Sequence, residues 1–199
     1  AADRYDEEIA WADHALASLA PTIEDVARTR PLLIVVMSDH GEGFGEHGAY
    51  YHSYDAHEEA LRVMLAVRGP GVVPGARAQL VSLVDLHATL LAYIDRAPAP
   101  RSPSRSLVPI LQSAPGAAVP WRSAVLAEVG NAREFATAVV APPWKLVHDA
   151  SRGAWELFHI DRDPAERRNV YNREPAVAEQ LRARMGELTR PGASRCPAR

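Results

Sequence analysis

A chain of 199 residues, 47% hydrophobic and 24% charged, holds enough apolar material for one sizeable core with room for a small appendage. Its formal net charge of -3 gives no sign of the basic footprint that nucleic acids or anionic membrane surfaces select. A single cysteine excludes an internal disulfide framework and leaves the compartment open, and the longest apolar run is far too short to span a bilayer.

Asp3 to Ala20 reads as an amphipathic helix with Tyr5, Ile9, Ala12, Leu16 and Leu19 on one stripe, and Pro21 is expected to end it. His14 lies beside that stripe as a surface histidine. Thr22 to Arg30 reads as a short helical or loop segment that leads into Pro31, a residue suited to the first position of a strand. Leu32-Leu33-Ile34-Val35-Val36-Met37 follows, apolar without alternation, and predicts a strand covered on both faces as in a parallel α/β sheet.

That strand ends in Ser38-Asp39-His40-Gly41-Glu42-Gly43-Phe44-Gly45-Glu46-His47-Gly48. Ligand sites in open α/β sheets lie just beyond the carboxyl ends of the strands, which is where Asp39 and His40 stand. Glycines let the backbone turn tightly and approach a ligand. Taken alone, an Asp-His pair before glycines serves a simple turn equally well. The density of histidine shifts the balance toward metal chemistry: His40, His47, His52 and His57, four of the eight in the chain, fall within eighteen residues together with Asp55, Glu58 and Glu59, and no lysine stands among them. Ala49 to Tyr54, with three tyrosines and His52, suits either the lip of a polar pocket or packing.

Leu61 to Val67 reads as the next buried strand, interrupted by Arg62, and Arg68 to Gly75 as a turn-rich loop. Ser82 and Asp85 predict a capping box for a helix through Ile94, with Leu83, Leu86, Leu90, Leu91 and Ile94 inward. His87 on this helix reads as structural. Ala97 to Ser106, rich in Pro, Arg and Ser, marks a candidate boundary. Beyond it come one helical turn at Leu107 to Leu111 and four short strands, Trp121–Val129, Phe135–Val140, Trp144–His148 and Trp155–Ile160, whose close spacing predicts an antiparallel sheet. The tryptophans there read as core anchors. Pro175 starts a last helix with Val177, Leu181, Met185 and Leu188 at helical spacing.

The residues from Ser38 to Glu42, Gly45 to Gly48, His52, Glu58 to Val63 and Arg68 to Val72 resemble the second half of the sulfatase branch of the alkaline-phosphatase-like hydrolases. Further matches run in order along the chain: Tyr5 to Ala10 with Asp13 and Leu16, Val81 to Leu86 with Thr89 to Leu91, Trp144-Lys145-Leu146, Glu156-Leu157-Phe158 and Asp163 to Glu166. The resemblance implies an alkaline-phosphatase-like α/β sandwich, a mixed and largely parallel sheet with flanking helices, plus a small C-terminal antiparallel sheet and terminal helix. Residues 1–98 would be the C-terminal portion of the catalytic domain, 99–120 a connection, 121–190 the small subdomain and 191–199 a tail.

The resemblance also implies a function, the metal-dependent hydrolysis of sulfuric esters of small molecules or carbohydrates, with Asp39 and His40 as metal ligands. His52 stands where the family places a Lys or His against the sulfate oxygens, so it is the candidate catalytic cation, and His57 and His47 are further candidates for substrate binding. Met64 replaces a proline and His57 a tyrosine common in the family. The family favours calcium, whereas an imidazole ligand draws toward zinc or manganese. The family nucleophile, a Cys or Ser oxidised to formylglycine within Cys-x-Pro-x-Arg, lies upstream of the Asp-His strand and is absent from these residues; Cys196, in Arg195-Cys196-Pro197-Ala198-Arg199, has the wrong spacing and place. The expectation is therefore a C-terminal half, inactive by itself, with a periplasmic, secreted or membrane-anchored location open to the whole protein. Two other readings stand beside it: a phosphodiesterase, phosphonate monoester hydrolase or phosphoethanolamine transferase of the same superfamily, and a truncated, non-catalytic chain.

Overall fold

A computed structural model describes residues 2–48, 50–51, 56–99, 102–130 and 134–189. In chain order its elements are α1 (Ala2–Thr29), β1 (Ile34–Met37), β2 (Gly43–Phe44), β3 (Tyr50–Tyr51), α2 (Glu58–Leu61), β4 (Leu65–Arg68), α3 (Asp85–Tyr93), α4 (Val108–Leu111), β5 (Val125–Gly130), β6 (Phe135–Ala141), β7 (Trp144–Asp149), β8 (Ala154–His159) and α5 (Pro175–Leu188). They fall into two compact units, Ala1–Ser38 with Met64–Val72, and Asp39–Val63 with Val73–Arg199. No helix of the described residues is long and apolar enough to cross a membrane.

In the first unit, α1 is a single helix that passes through Pro21 rather than stopping there. Proline removes one N–H and crowds the carbonyl one turn back, but its fixed φ is itself helical. Good helix formers on both sides outweigh the local loss, and the segment expected to be loop or short helix becomes the last turns of α1. Ile9, Trp11, Leu16 and Leu19 are all about half exposed or more along it. β1 is shorter than its apolar run and pairs antiparallel with β4, Val36 opposite Ala66 and Met37 opposite Leu65. The parallel neighbour expected for β1 is thus replaced, among the described strands, by an antiparallel one. Its residues are half-buried with Met37 exposed, so lack of alternation did not here signal cover on both faces. The pairing is extended past β1 by Ser38, whose N–H donates to Met64 O and whose Oγ accepts from Met64 N–H.

The second unit is built on the antiparallel sheet β5-β6-β7-β8, as the strand spacing predicted. Side chains alternate across a strand, so the register fixes what each face carries. Val139, Leu146 and Leu157 lie opposite one another on one face and bury against Ala178, Leu181 and Met185 of α5. The tryptophans Trp144 and Trp155 border this core, partly buried. The other face carries Ala138, Val147 and Phe158, packed with Ala56 and Leu61, but it also carries Lys145, opposite Phe158, and Glu156, opposite Val147. Two charges therefore project from the sheet side that does not meet α5.

Around α3 the expected capping box is half formed. The Asp85 carboxylate accepts from Ser82 N–H at 3.0 Å, while Asp85 N–H donates to Ser82 O rather than to its hydroxyl. Asp85 is fully buried because it also accepts from Arg105 N–H and pairs with Arg122. Arg122 and Trp121, read as the start of a strand, serve this junction instead, and β5 begins at Val125. Leu90 and Ile94, expected inward, are exposed, and the helix ends at Tyr93.

Truncating the fully buried Leu146 or Leu157 to alanine should cost about 2–5 kcal/mol in urea unfolding, as a buried leucine leaving a cavity does. Ile94→Ala, 65% exposed, should change stability by less than about 0.5 kcal/mol.

Candidate active site

Asp39 and His40 leave the end of β1, as the sequence reading placed them. Their side chains are 80% and 51% exposed, and Asp39 Oδ1 stands 3.8 Å from His40 Nε2. His40 Nδ1 lies 2.8 Å from Gly41 O. A carbonyl only accepts, so Nδ1 carries the proton, and in the neutral ring Nε2 is the nitrogen with the lone pair. An oxygen donor and a nitrogen donor thus stand side by side at the solvent-facing end of the strand.

The glycine loop after them is pressed against α2. Gly41 N–H donates to Ala60 O at 2.9 Å, and a Cβ at Gly41 would fall 1.9 Å from Glu59 O, so no other residue fits there. Gly45 takes φ +108° beneath the Tyr50 ring. Glu46 turns back on its own loop, accepting from Phe44 N–H at 2.7 Å, and that hydrogen bond holds its carboxyl below the usual range. Tyr50 and Tyr51 pair with the loop as β3 and are largely exposed, which favours the lip over the packing alternative for these two.

His47 has oxygen on both ring nitrogens: Glu59 Oε1 is 2.6 Å from Nδ1, and the Glu166 carbonyl is 3.1 Å from Nε2. His57 stacks on His47, ring centroids 3.8 Å apart and planes within 8°, with its Nε2 3.2 Å from Glu156 Oε2 and its edge against Phe158. His47, His57 and Glu59 have ligand atoms within 4.8 Å of one another, a grouping able to hold a metal ion. In the structure two of these three groups already meet each other, His47 Nδ1 and Glu59 Oε1.

Beneath the two histidines lies a buried ion cluster. Lys145 Nζ is 2.9 Å from Glu166 Oε1 and 3.3 Å from Glu58 Oε1, with Lys145 and Glu166 side chains wholly buried. Glu166 Oε2 also accepts from Glu58 N–H at 2.9 Å. Burial pushes the Glu166 carboxyl upward, against the pull of the Lys145 ammonium.

The structure therefore brings Asp39 to His40, and His47 to His57. His52 lies outside the described residues. Lys145, Glu156 and Glu166 did not stand out as a group in the sequence; the available signal was a charge alternating with apolar residues within a strand, Lys145 before Val147 and Glu156 before Phe158, on positions that period two assigns to one face.

Residues 1–95 match the sulfatase family. The choline-sulfatase of Rhizobium meliloti is 32% identical over 174 residues, 83% of this chain and 32% of its own length. This chain belongs to the sulfatase family. It spans about a third of the length of the curated relatives it matches. Among solved structures, a protein in complex with its substrate D-glucosamine-2-N,6-O-disulfate superposes with a TM-score of 0.68 at 23% identity, over 82% of this chain and 36% of that one. The phosphonate monoester hydrolase of Agrobacterium radiobacter gives 0.61 at 23% identity, over 79% and 34%. These likenesses show the fold: the sulfatase-family chain has the alkaline-phosphatase-like architecture, with the small antiparallel sheet and terminal helix that its strand pattern indicated.

In this sulfatase-family chain, Lys145→Ala strands the buried Glu166 charge and should cost about 3–5 kcal/mol in urea unfolding. A carboxyl raised in the folded state binds its proton more tightly folded than unfolded, so its contribution to stability is present at acid pH and is lost as pH rises through the folded value. Glu166→Gln should accordingly make the unfolding free energy decline less steeply than wild type as pH rises above the ordinary carboxyl value of 4.5.

Proposed function

We propose that the chain carries the metal-bearing part of a hydrolase that cleaves sulfuric esters, with Asp39 and His40 as two of the ligands of a divalent cation and His52 as the cation that meets the sulfate oxygens. The observation that carries this reading is the state of His40. Its Nδ1 donates to Gly41 O, and its Nε2 edge stands 3.8 Å from the exposed Asp39 carboxylate. Ligating histidines are oriented in this way, the second nitrogen donating to a backbone carbonyl. One carboxylate and one imidazole fit a divalent ion as part of a donor set and do not close a site alone. Such an ion would act as a Lewis acid on sulfate oxygens and help to orient the nucleophile. Calcium is the choice that family membership favours; the imidazole keeps zinc and manganese as competitors.

The work of the chain's own residues follows from their positions. Asp39 and His40 supply donors at the mouth of the strand, and the exposed Tyr50 and Tyr51 border the same loop. His52 would offset negative charge that develops on sulfate oxygens or the leaving group. His47 and His57, the other candidates for substrate contact, turn ring nitrogens to Glu59, Glu166 and Glu156, so in this proposal their share in binding is to shape the wall behind the loop. The substrate class proposed is a small-molecule or carbohydrate sulfate ester, in line with the disulfated glucosamine bound by a structural neighbour and the choline-sulfatase relative. A second reading, phosphonate or phosphate ester hydrolysis, has the superposed phosphonate monoester hydrolase in its favour.

The 199 residues contain no Cys-x-Pro-x-Arg. The chain alone is expected to show no turnover of aryl sulfates; metal-dependent turnover abolished by Asp39→Ala would overturn that. Within a protein that also carries the nucleophile segment, Asp39→Ala or His40→Ala should lower kcat/KM for sulfate esters by at least about 100-fold. Faster turnover of phosphonate monoesters than of sulfates would move the assignment to the second reading.

A further inference from the structure

Asp39 and His40 sit on a loop that carries glycine at positions 41, 43, 45 and 48, and glycine-rich backbone loses more freedom on ordering than any other. A pair of donors on such a loop binds a cation well only if something else holds the loop in place. Two ties do so: Gly41 N–H to Ala60 O at the end of α2, and His47, whose ring is held between Glu59 of α2 and the carbonyl of Glu166.

Glu166 takes part in the second tie and holds the helix that bears the first. Its main-chain carbonyl takes His47 Nε2, while its carboxylate takes the N–H of Glu58, the first residue of α2, and the buried Lys145 ammonium of β7. One residue therefore grips the loop, the short helix on which the loop rests, and the sheet. It does this at φ +50°, a left-handed conformation unfavourable for a residue with a Cβ, which persists where the surroundings over-determine it. Those surroundings are themselves tied: Glu166 N–H donates to Asp163 O, and the Asp163 carboxylate accepts from Arg167 and Arg168 N–H.

We infer that Glu166, with Lys145 as its counter-ion, is a positioning residue for the cation pair, through which the C-terminal sheet sets the loop that presents Asp39 and His40. The inference rests on the reading of Asp39 and His40 as metal ligands. It gives the small sheet a part in the reaction without any residue of that sheet touching substrate: the sheet keeps the donors assembled before the cation arrives. Outer partners of metal ligands contribute in this way, and their loss typically weakens affinity by about 10–100-fold.

The test uses the full 199-residue chain, followed by backbone amide NMR, with calcium chloride as the probe. Two donors do not close a site, so calcium should shift the amides of residues 39–48 in wild type only weakly and at high concentration, and Asp39→Ala should remove those shifts; a wild type without them would overturn the metal reading on which the inference rests. Glu166→Gln keeps the shape and an oxygen acceptor but loses the charge that Lys145 holds. It should speed hydrogen exchange at Gly41 by about tenfold with the β6 and β7 amides unchanged, and weaken calcium binding by about tenfold. His47→Gln approaches the same latch from the loop and leaves the sheet intact, so it should reproduce both effects even if Glu166→Gln fails to fold. Unchanged Gly41 exchange in the folded variants, or faster exchange with calcium affinity retained, would overturn the positioning role. Calcium shifts that survive Asp39→Ala and centre on His47, His57 and Glu59 would instead overturn the metal assignment, and the positioning role with it, while the exchange data would still report whether the latch exists.

Discussion

A lysine ammonium with no exposed surface, held between two carboxylates, is the constraint on which the second unit depends. Moving such a charge out of water costs several kcal/mol unless it is paired and its partners are themselves satisfied. Lys145 meets the condition only where Glu166 and Glu58 arrive together, from the turn after β8 and from the start of α2. An apolar contact at this point would tolerate sliding by an ångström or more, whereas an ion cluster of this kind does not, because each displaced partner leaves a charge stranded. The cluster therefore sets the register between the sheet and the short helix, and through that helix the place of the glycine loop.

The sheet has a clear division of labour. One face is a leucine, valine and alanine core closed by α5, which gives cohesion without direction. The other mixes Val147 and Phe158 with Lys145 and Glu156, and its polar contacts give direction to whatever packs there. His57 illustrates the combination, with an apolar edge against Phe158, a flat face on His47 and a nitrogen turned to Glu156. Histidine suits this position because it combines an aromatic plate with a polar edge in one side chain.

The strand, the glycine loop and the place of Asp39 and His40 between them were legible because local chemistry determines them. A β-branched run prefers extended backbone wherever it goes, Gly41 is required by a contact no Cβ survives, and consecutive Asp and His must share the end of that strand. The hairpin sheet and last helix were legible for the same reason, since short spacings leave strands no partner but their neighbours. Misreadings arose where a non-local contact or a balance of small terms decides. Pro21 tips a helix by an energy that its neighbours can offset, the end of β1 takes its antiparallel partner from a strand some thirty residues on, and Leu90 and Ile94 follow helical spacing without being covered.

The sequence by itself determined family membership, element types in the C-terminal half and the place of Asp39 and His40 at the end of their strand, all of which rest on residue type and short-range spacing. Only the tertiary structure decided that His47 and His57 are stacked against each other with nitrogens on protein carboxylates, and that Lys145, Glu58 and Glu166 form one buried cluster. Lys145 and Glu58 stand 87 residues apart, and pairing between charges so distant is a property of how sheet, helix and turn pack, which no local pattern encodes.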